Sequence, residues 1–141
     1  GAFYVGVGTA FPAYAARFGK AAEGVIGIGG INVEAPKIKE YLARHKKATG
    51  SDPDYWASAT TYAGLQVLEQ GIEQAGTKDR AAVVEAIKTG TFDTVLGTLK
   101  FDNNVNPNVW TVGQWRDGVF RGVAADGIDG AIDPVKKQGW Q

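Results

Sequence analysis

The sequence predicts an α/β fold, and three observations carry the prediction. Two short apolar runs bounded by glycine, residues 2–8 and 23–31, flank a segment long enough for two or three helical turns. That strand, helix, strand rhythm is the signature of a βαβ unit with adjacent parallel strands and a right-handed crossover. Three segments with helix start and stop residues follow between Pro36 and Gly90. Beyond Gly90 the runs shorten to strand length, as in "TVLGTLKF", "VWTVGQWRD" and "VFRGVA", separated by Asn, Pro and Gly.

Taken in order, "AFYVGVG" and "EGVIGIGGI" have the β-branched and aromatic content of buried strands, with "AFPAYAARFGK" as the helix between them. "APKIKEYLARHKKATG" reads as a helix with Pro36 near its first turn, Ile38, Tyr41, Leu42 and His45 on one face, basic residues late and Gly50 as terminator. The next helix lies within "SDPDYWASATTYAGLQVLEQGIEQAG", capped by Ser51 or Asp52, with its body from Tyr55 and its stop at Gly76. Its apolar stripe of Leu65, Leu68, Ile72 and Ala75 continues backwards into Thr61 and Ser58, so a face that should be buried turns polar at one end. "DRAAVVEAIKTG" is a further helix from a Thr77 or Asp79 cap to Gly90, burying Val83, Ala86 and Ile87. Asp117-Gly118 signals a two-residue hairpin, and the tail is turn-rich, with one short helical turn expected after Pro134.

Bulk numbers remove several function classes. The chain has 141 residues, 44% hydrophobic and 21% charged, which is ordinary for a globular protein. Its 15 basic residues balance 15 acidic ones, so no broad positive field exists to concentrate nucleic acid or anionic lipid. The longest apolar runs reach about ten residues, against roughly twenty for a bilayer span. With no cysteine there are no disulfides, thiolate metal sites or cysteine nucleophiles. The absence of methionine suggests a piece of something longer.

Catalytic and cofactor motifs fail on inspection. "GVGTAF" and "GIGGIN" lack the third glycine and the downstream acid of a dinucleotide loop, and no GxxxxGK[ST] is present. Their glycines read instead as allowances for close packing of strands and backbones. His45, the only histidine, sits among Arg44, Lys46 and Lys47, where further charge or a metal is disfavoured. There is no G-x-S-x-G turn and no carboxylate cluster, so catalytic residues, metal ligands and cofactors are all expected to be none. The four tryptophans and five tyrosines fill core and hinge surfaces or, on the alternative reading, line a ligand pocket.

The ordered series "AAEGVIGIGGIN", "PKIKEYLARHKKATGSDPDYWASATTYAGLQVLEQGIEQAG", "AVVEAIKTGTFDTVLGTLKFDNN" and "VGQWRDGVF" resembles the C-terminal portion of the branched-chain amino-acid type of periplasmic solute-binding protein. The AEG strand, the YW/TTYA helix and the TVLG-x-L-x-FD step are the most telling parts, and the resemblance covers nearly the whole chain. It implies two Rossmann-like lobes joined by three crossing segments, of which only the C-terminal part is present here. Residues 1–30 then belong to the second lobe, residues 31–94 supply a crossover and first-lobe helices, and residues 95–141 cross back. Hinges are expected at residues 29–33, at residues 95–98 and in the C-terminal strands, with Gly29, Gly30 and Gly97 absorbing dihedral change. Either two separated apolar clusters follow, one around residues 2–30 and one around residues 51–90, or a companion chain completes both; in neither case does a single core join Val5, Val25 or Ile26 to Leu65, Leu68 or Ile87.

The same resemblance implies function. Such a protein, periplasmic or extracellular and either lipid-anchored or soluble, closes on a small molecule and delivers it to an ABC permease. Its partners are the ligand, the permease and the missing N-terminal part of the same protein. The ligand-binding residues implied here are Gly8, Thr9, Ala10, Phe11 and Tyr55, with Thr9 as hydrogen-bonding group and Phe11 as apolar wall. Amino-acid binders often carry an acid in this loop, whereas residues 7–11 read "VGTAF". An amide, an aromatic acid or another small carboxylate is therefore as well matched as a standard α-amino acid. Under this scheme Ser58 and Thr61 face a wet boundary near the cleft, the alternative being a frayed first turn. Competing functions are a sensor domain of the same fold in a receptor or regulator, and an α/β enzyme whose nucleophile and base lie elsewhere.

Overall fold

The computed structural model describes residues 6–54, 56–106, 111–123 and 131–139. Helix α1 (Pro12–Phe18) and strand β1 (Ile26–Gly30) are followed by three successive helices, α2 (Pro36–Thr49), α3 (Ala57–Ala75) and α4 (Arg80–Thr89), and then by strands β2 (Thr91–Thr94), β3 (Gly97–Lys100), β4 (Thr111–Arg116) and β5 (Val119–Val123). The strands form a three-stranded sheet ordered β1-β4-β5 and a separate β2-β3 hairpin. Each described strand pair is antiparallel. Most of the run expected to pair in parallel with β1 lies outside the described residues, and its described end, Gly6 to Gly8, is not strand.

Local chemistry accounts for most element boundaries. Pro opens α1 and α2 at a position where its missing N–H costs nothing, and Gly50 closes α2 in the left-handed region at φ 77°. Asp79 caps α4 by accepting from the Ala82 N–H. The α3 cap differs from expectation: Asp54 Oδ1 accepts from Trp56, Ala57 and Ser58, whereas Asp52 pairs with Lys46. Pro53 holds Asp52 out of helical geometry, so the next acid is the one that meets the free N–H groups. Asp117 and Gly118, at φ 53° and 74°, both adopt the left-handed conformation of a twisted two-residue hairpin.

Two expected elements are corrected. "TVLGTLKF" is not one strand: Thr94 Oγ1 donates to Gly97 O and accepts from Leu96 N–H, folding β3 back onto β2 across Val95 and Leu96. Residues 134–139 form no helical turn; the tail is held extended, its Ile132 N–H donating to Gly122 O and Val135 bonded to Gln114.

The α3 helix reverses the expected burial. Its buried face is Ala59, Ala63, Val67 and Gly71, while Leu65 and Leu68 are 60% and 46% exposed. The inner face is fixed by glutamines at four-residue spacing. Gln66 Oε1 accepts from Val95 N–H, Gln70 both donates to Asp93 O and accepts from Asp93 N–H, and Gln74 donates to Thr91 O. Four residues of helix rise about 6 Å and two residues of strand about 6.6 Å, so the side-chain amides keep step with the strand backbone. They act as a substitute strand along the outer edge of β2, which would otherwise present unpaired groups. At the polar end of the stripe Ser58 is half-buried, its hydroxyl paired with the Tyr41 hydroxyl of α2, and Thr61 is exposed.

The buried residues divide into two clusters. One gathers Ile31, Val33, Ile38, Tyr41, the α3 inner face, Phe92, Val95 and Leu99. The other holds Ala10, Ala22, Val25, Trp115 and Phe120. Val25 therefore lies in one cluster and Ile87 packs against the other. Val95 and Leu99 pack with Phe92, and Phe101 packs against the same cluster, so residues 95–98 are a tight hairpin within it instead of a crossing.

Candidate functional site

The "GVGTAF" segment forms a 3-10 turn, Gly8–Ala10, running into the first residue of α1. Thr9 is 2% exposed, and its Oγ1 lies 2.6 Å from Gly6 O and 3.1 Å from Ile26 O, so one proton is shared between two carbonyls. The Trp115 indole N–H donates to Thr9 O at 2.6 Å. Gly27 of β1 lets the turn lie this close: a Cβ there would stand 2.7 Å from Thr9 Oγ1. This is the close-packing role read for the glycines of "GIGGIN".

The implied ligand residues consequently fall into three groups. Thr9 and Ala10 point inward, with the Thr9 hydroxyl already engaged by backbone. Gly8 is exposed and has open space on its Cβ side, and Phe11 is half-buried. Tyr55 lies outside the described residues; Tyr41 of α2 and Tyr62 of α3 meet in a tilted ring pair with centroids 5.2 Å apart, and the Arg44 guanidinium is 5.9 Å from the Tyr62 ring. The Gly8–Ala10 turn packs on β1 and α1, so it and the start of α3 are set by different clusters.

An open groove of about 980 Å³ lies elsewhere, between Ala15 and Ala16 of α1, the Asp117-Gly118 turn and residues 135–139, and residues 8–11 do not line it. Its far wall is the tail. Gln114, 0% exposed, donates to Gly24 O and Val135 O and accepts from Val135 N–H, while Lys137 donates to the Ala21 and Glu23 carbonyls. Sequence reasoning missed Gln114; an uncharged polar residue between valine, glycine and tryptophan in a short strand was the available signal.

The crossing from β1 to α2 carries the polar joint of the molecule. Asn32 is buried, and its Oδ1 accepts from Glu34 N–H and from Gly122 N–H of β5. Glu34 pairs with Lys39 at 2.6 Å; that hydrogen bond, with the positive charges of Lys39 and Arg121, holds its carboxyl below the usual range against the opposing effect of burial. Among the described residues no group of three His, Cys, Asp or Glu could hold a metal, and no helix is long and apolar enough to cross a membrane.

Comparison with known proteins gives this architecture its relatives. The family described as periplasmic binding protein matches residues 2–119. The chain is 30% identical over 105 residues to the leucine-, isoleucine-, valine-, threonine- and alanine-binding protein of Pseudomonas aeruginosa, covering 73% of this chain and 28% of that protein. It is 33% identical over 89 residues to Leu/Ile/Val-binding protein homolog 7 of Brucella abortus, covering 59% of this chain and 22% of the relative. Among solved structures, a leucine binding protein, LivK, from Thermotoga maritima superposes with TM-score 0.64 at 25% identity, covering 85% of this chain and 36% of that one. A solute binding protein of an R. palustris ABC transporter, solved with benzoate, shares the fold with TM-score 0.59 at 19% identity, over 76% of this chain and 31% of that one. The chain thus spans between 22% and 36% of the length of these relatives, each named as a binding protein. It belongs to the periplasmic binding protein family and carries part of that two-lobed α/β fold.

Proposed function

We propose that this chain is part of an extracytoplasmic solute-binding protein, lipid-anchored or soluble, that captures a small ligand between two lobes and delivers it to an ABC permease. The observation that carries the reading is the division of the buried residues into two clusters, in a chain matched to the family over residues 2–119. We assign residues 31–34, where Asn32 bonds to β5, and the connection between β3 and β4 as crossing segments about which the lobes close. The second lobe then comprises residues 1–30 and the strands after residue 110, and the first lobe takes residues 36–100.

In this reading the outward part of the 3-10 turn, Gly8 and Phe11, forms one wall of the cleft, while Thr9 and Ala10 hold that wall on β1. Tyr55, which lies outside the described residues, is proposed as a further ligand residue. The ligand is a small amino-acid-like molecule, an amide or a carboxylate: the Pseudomonas relative is named for binding aliphatic amino acids, and the benzoate complex shows that this fold accepts an aromatic acid. With no acid in residues 7–11, recognition of an ammonium group must come from elsewhere. A thermal-shift panel of amino acids, amides and aromatic acids on the full-length protein tests the reading. A ligand at a hundred times its dissociation constant adds about 2.7 kcal/mol of stability. A panel without any shift would count against this ligand class.

A further inference from the structure

We infer that Asn32 is a positioning residue for solute capture: its side-chain carbonyl, shared between the backbones of β5 and of Glu34, fixes the first crossing segment in one bend before any solute arrives. The inference rests on the two-lobed reading and adds to it the side chain that governs how the lobes of the free protein are held.

The segment has no slack. Residues 31–35 are all that separate the end of β1 from the start of α2. Ile31 and Val33 are buried in the first cluster, whereas the Asn32 amide between them reaches the other sheet. It arrives at β5, at the edge of the β1-β4-β5 order, where outward N–H groups need partners from outside the sheet. Asn32 Oδ1 accepts from Gly122 N–H of β5 at 3.3 Å and from Glu34 N–H at 3.2 Å. The main-chain oxygen of Asn32 accepts from Ala35 N–H at 3.1 Å, and Pro36, the first residue of α2, follows at once. A side-chain turn nested on a backbone turn gives the path from β1 to α2 one shape.

Burial gives the shared oxygen its leverage. Asn32 is 3% exposed, so a bond lost there is not replaced by water. A rotation of the lobes that separates Gly122 from Glu34 breaks one of these bonds, and closure therefore starts from one defined geometry. Charge is arranged the same way: Glu34 pairs with Lys39 of α2 at 2.6 Å and lies in the field of Arg121, the neighbour of Gly122 on β5. Val119 of the same strand packs against the first cluster, so the polar joint continues into apolar contact. A loosely hinged protein must order its crossing when it closes on a solute, which weakens binding; a crossing already bent to one shape avoids that cost.

The chain has no cysteine, so spin labels can be placed one on each lobe. Arg17→Cys on α1 and Lys47→Cys on α2, both at exposed positions, are combined in the full-length protein, with any cysteine outside these 141 residues replaced by serine. In the free protein the labels should give a single narrow distance. Asn32→Ala should broaden that distribution or lengthen its mean. It should also weaken binding of L-leucine or benzoate, whichever raises the melting temperature more, by about tenfold. Asn32→Asp keeps an oxygen for both N–H groups and should restore the narrow distance. A lower melting temperature with an unchanged distance, or a broadened distance with unchanged affinity, would overturn the inference. If Asn32→Ala does not fold, amide exchange at Gly122 in the unsubstituted protein decides. Protection of at least about tenfold over an unstructured chain supports the joint, and exchange at the unstructured rate overturns it. If no compound binds while the distances respond to residue 32 as described, the functional reading fails and the joint stands.

Discussion

The turn at Gly8–Ala10 and the outer face of α3 exchange roles relative to what their residues suggest. Thr9, a polar residue in a glycine-rich loop, is enclosed by β1 and Trp115, whereas Leu65 and Leu68, an apolar stripe at helical spacing, face outward. The difference lies in what is available to each segment. The turn has all its partners within the chain: two carbonyls for one hydroxyl, an indole N–H for one carbonyl, and a glycine opposite to admit it. The stripe has no comparable set of partners among the described residues, and Leu65 and Leu68 stay exposed. Apolar periodicity therefore does not by itself decide which face of a helix is buried, since α3 buries the face that carries Ala59, Ala63 and Val67.

Substitutions can break the comparison from either side, beginning with the turn. Gly27→Val should have the largest effect, about 3 kcal/mol of lost stability, because its Cβ meets Thr9 Oγ1 and the Ala10 backbone N at 2.7 and 3.1 Å with no flexible end to yield. Chemical denaturation of the full-length protein measures this, and a loss under about 1 kcal/mol would show that the turn does not need its seat. Thr9→Val removes the shared hydrogen bonds and leaves two carbonyls short of a donor, so a loss of about 1–2 kcal/mol is expected with the same assay. Were Thr9 a ligand group instead, the substitution would abolish binding and leave the melting temperature unchanged.

Gln70→Ala comes next. It removes the two bonds to Asp93 and should cost about 1 kcal/mol, with faster amide exchange at Asp93 than at Thr98 across the hairpin. Unchanged exchange at Asp93 would mean that the glutamines decorate the edge without closing it. The smallest effect belongs to Glu34. Its carboxyl titrates below the ordinary range, so its pairing with Lys39 contributes stability above the unfolded carboxylate pKa of about 4.3 and loses it as pH falls through the lower folded value. The pair is partly exposed and worth less than about 1 kcal/mol. Glu34→Gln should accordingly flatten the stability profile below about pH 4.5 and change little at pH 7 beyond a uniform offset. A profile with the wild-type slope would assign that acid sensitivity to other carboxylates.

Much of the frame was legible because its signals are local. Pro36, Gly50 and Asp79 mark helix ends that depend on one residue's dihedral or one side-chain acceptor, and the Asp117-Gly118 hairpin depends on two left-handed residues in succession. The misreadings involve partners distant in sequence. Whether Asp52 or Asp54 caps α3 depends on Lys46 being near Asp52, and whether "TVLG" continues or turns depends on Thr94 bonding across to Gly97. At the candidate site, the loop was found by resemblance, but the inward aim of Thr9 is set by Trp115, 106 positions away. The glutamines at positions 66, 70 and 74 were visible at helical spacing; polar residues on a helix read as solvated until a strand edge is known to lie beside them.

Closure on a solute is the claim that the rest of the account serves, and solution scattering of the full-length protein tests it most directly. The compound giving the largest melting-temperature rise in the panel is added at saturating concentration, and the radius of gyration is compared with that of the free protein. Lobes that close about residues 31–34 and the β3–β4 connection predict a smaller radius in the bound state. A bound protein with an unchanged radius would contradict closure and leave a rigid binding domain in its place.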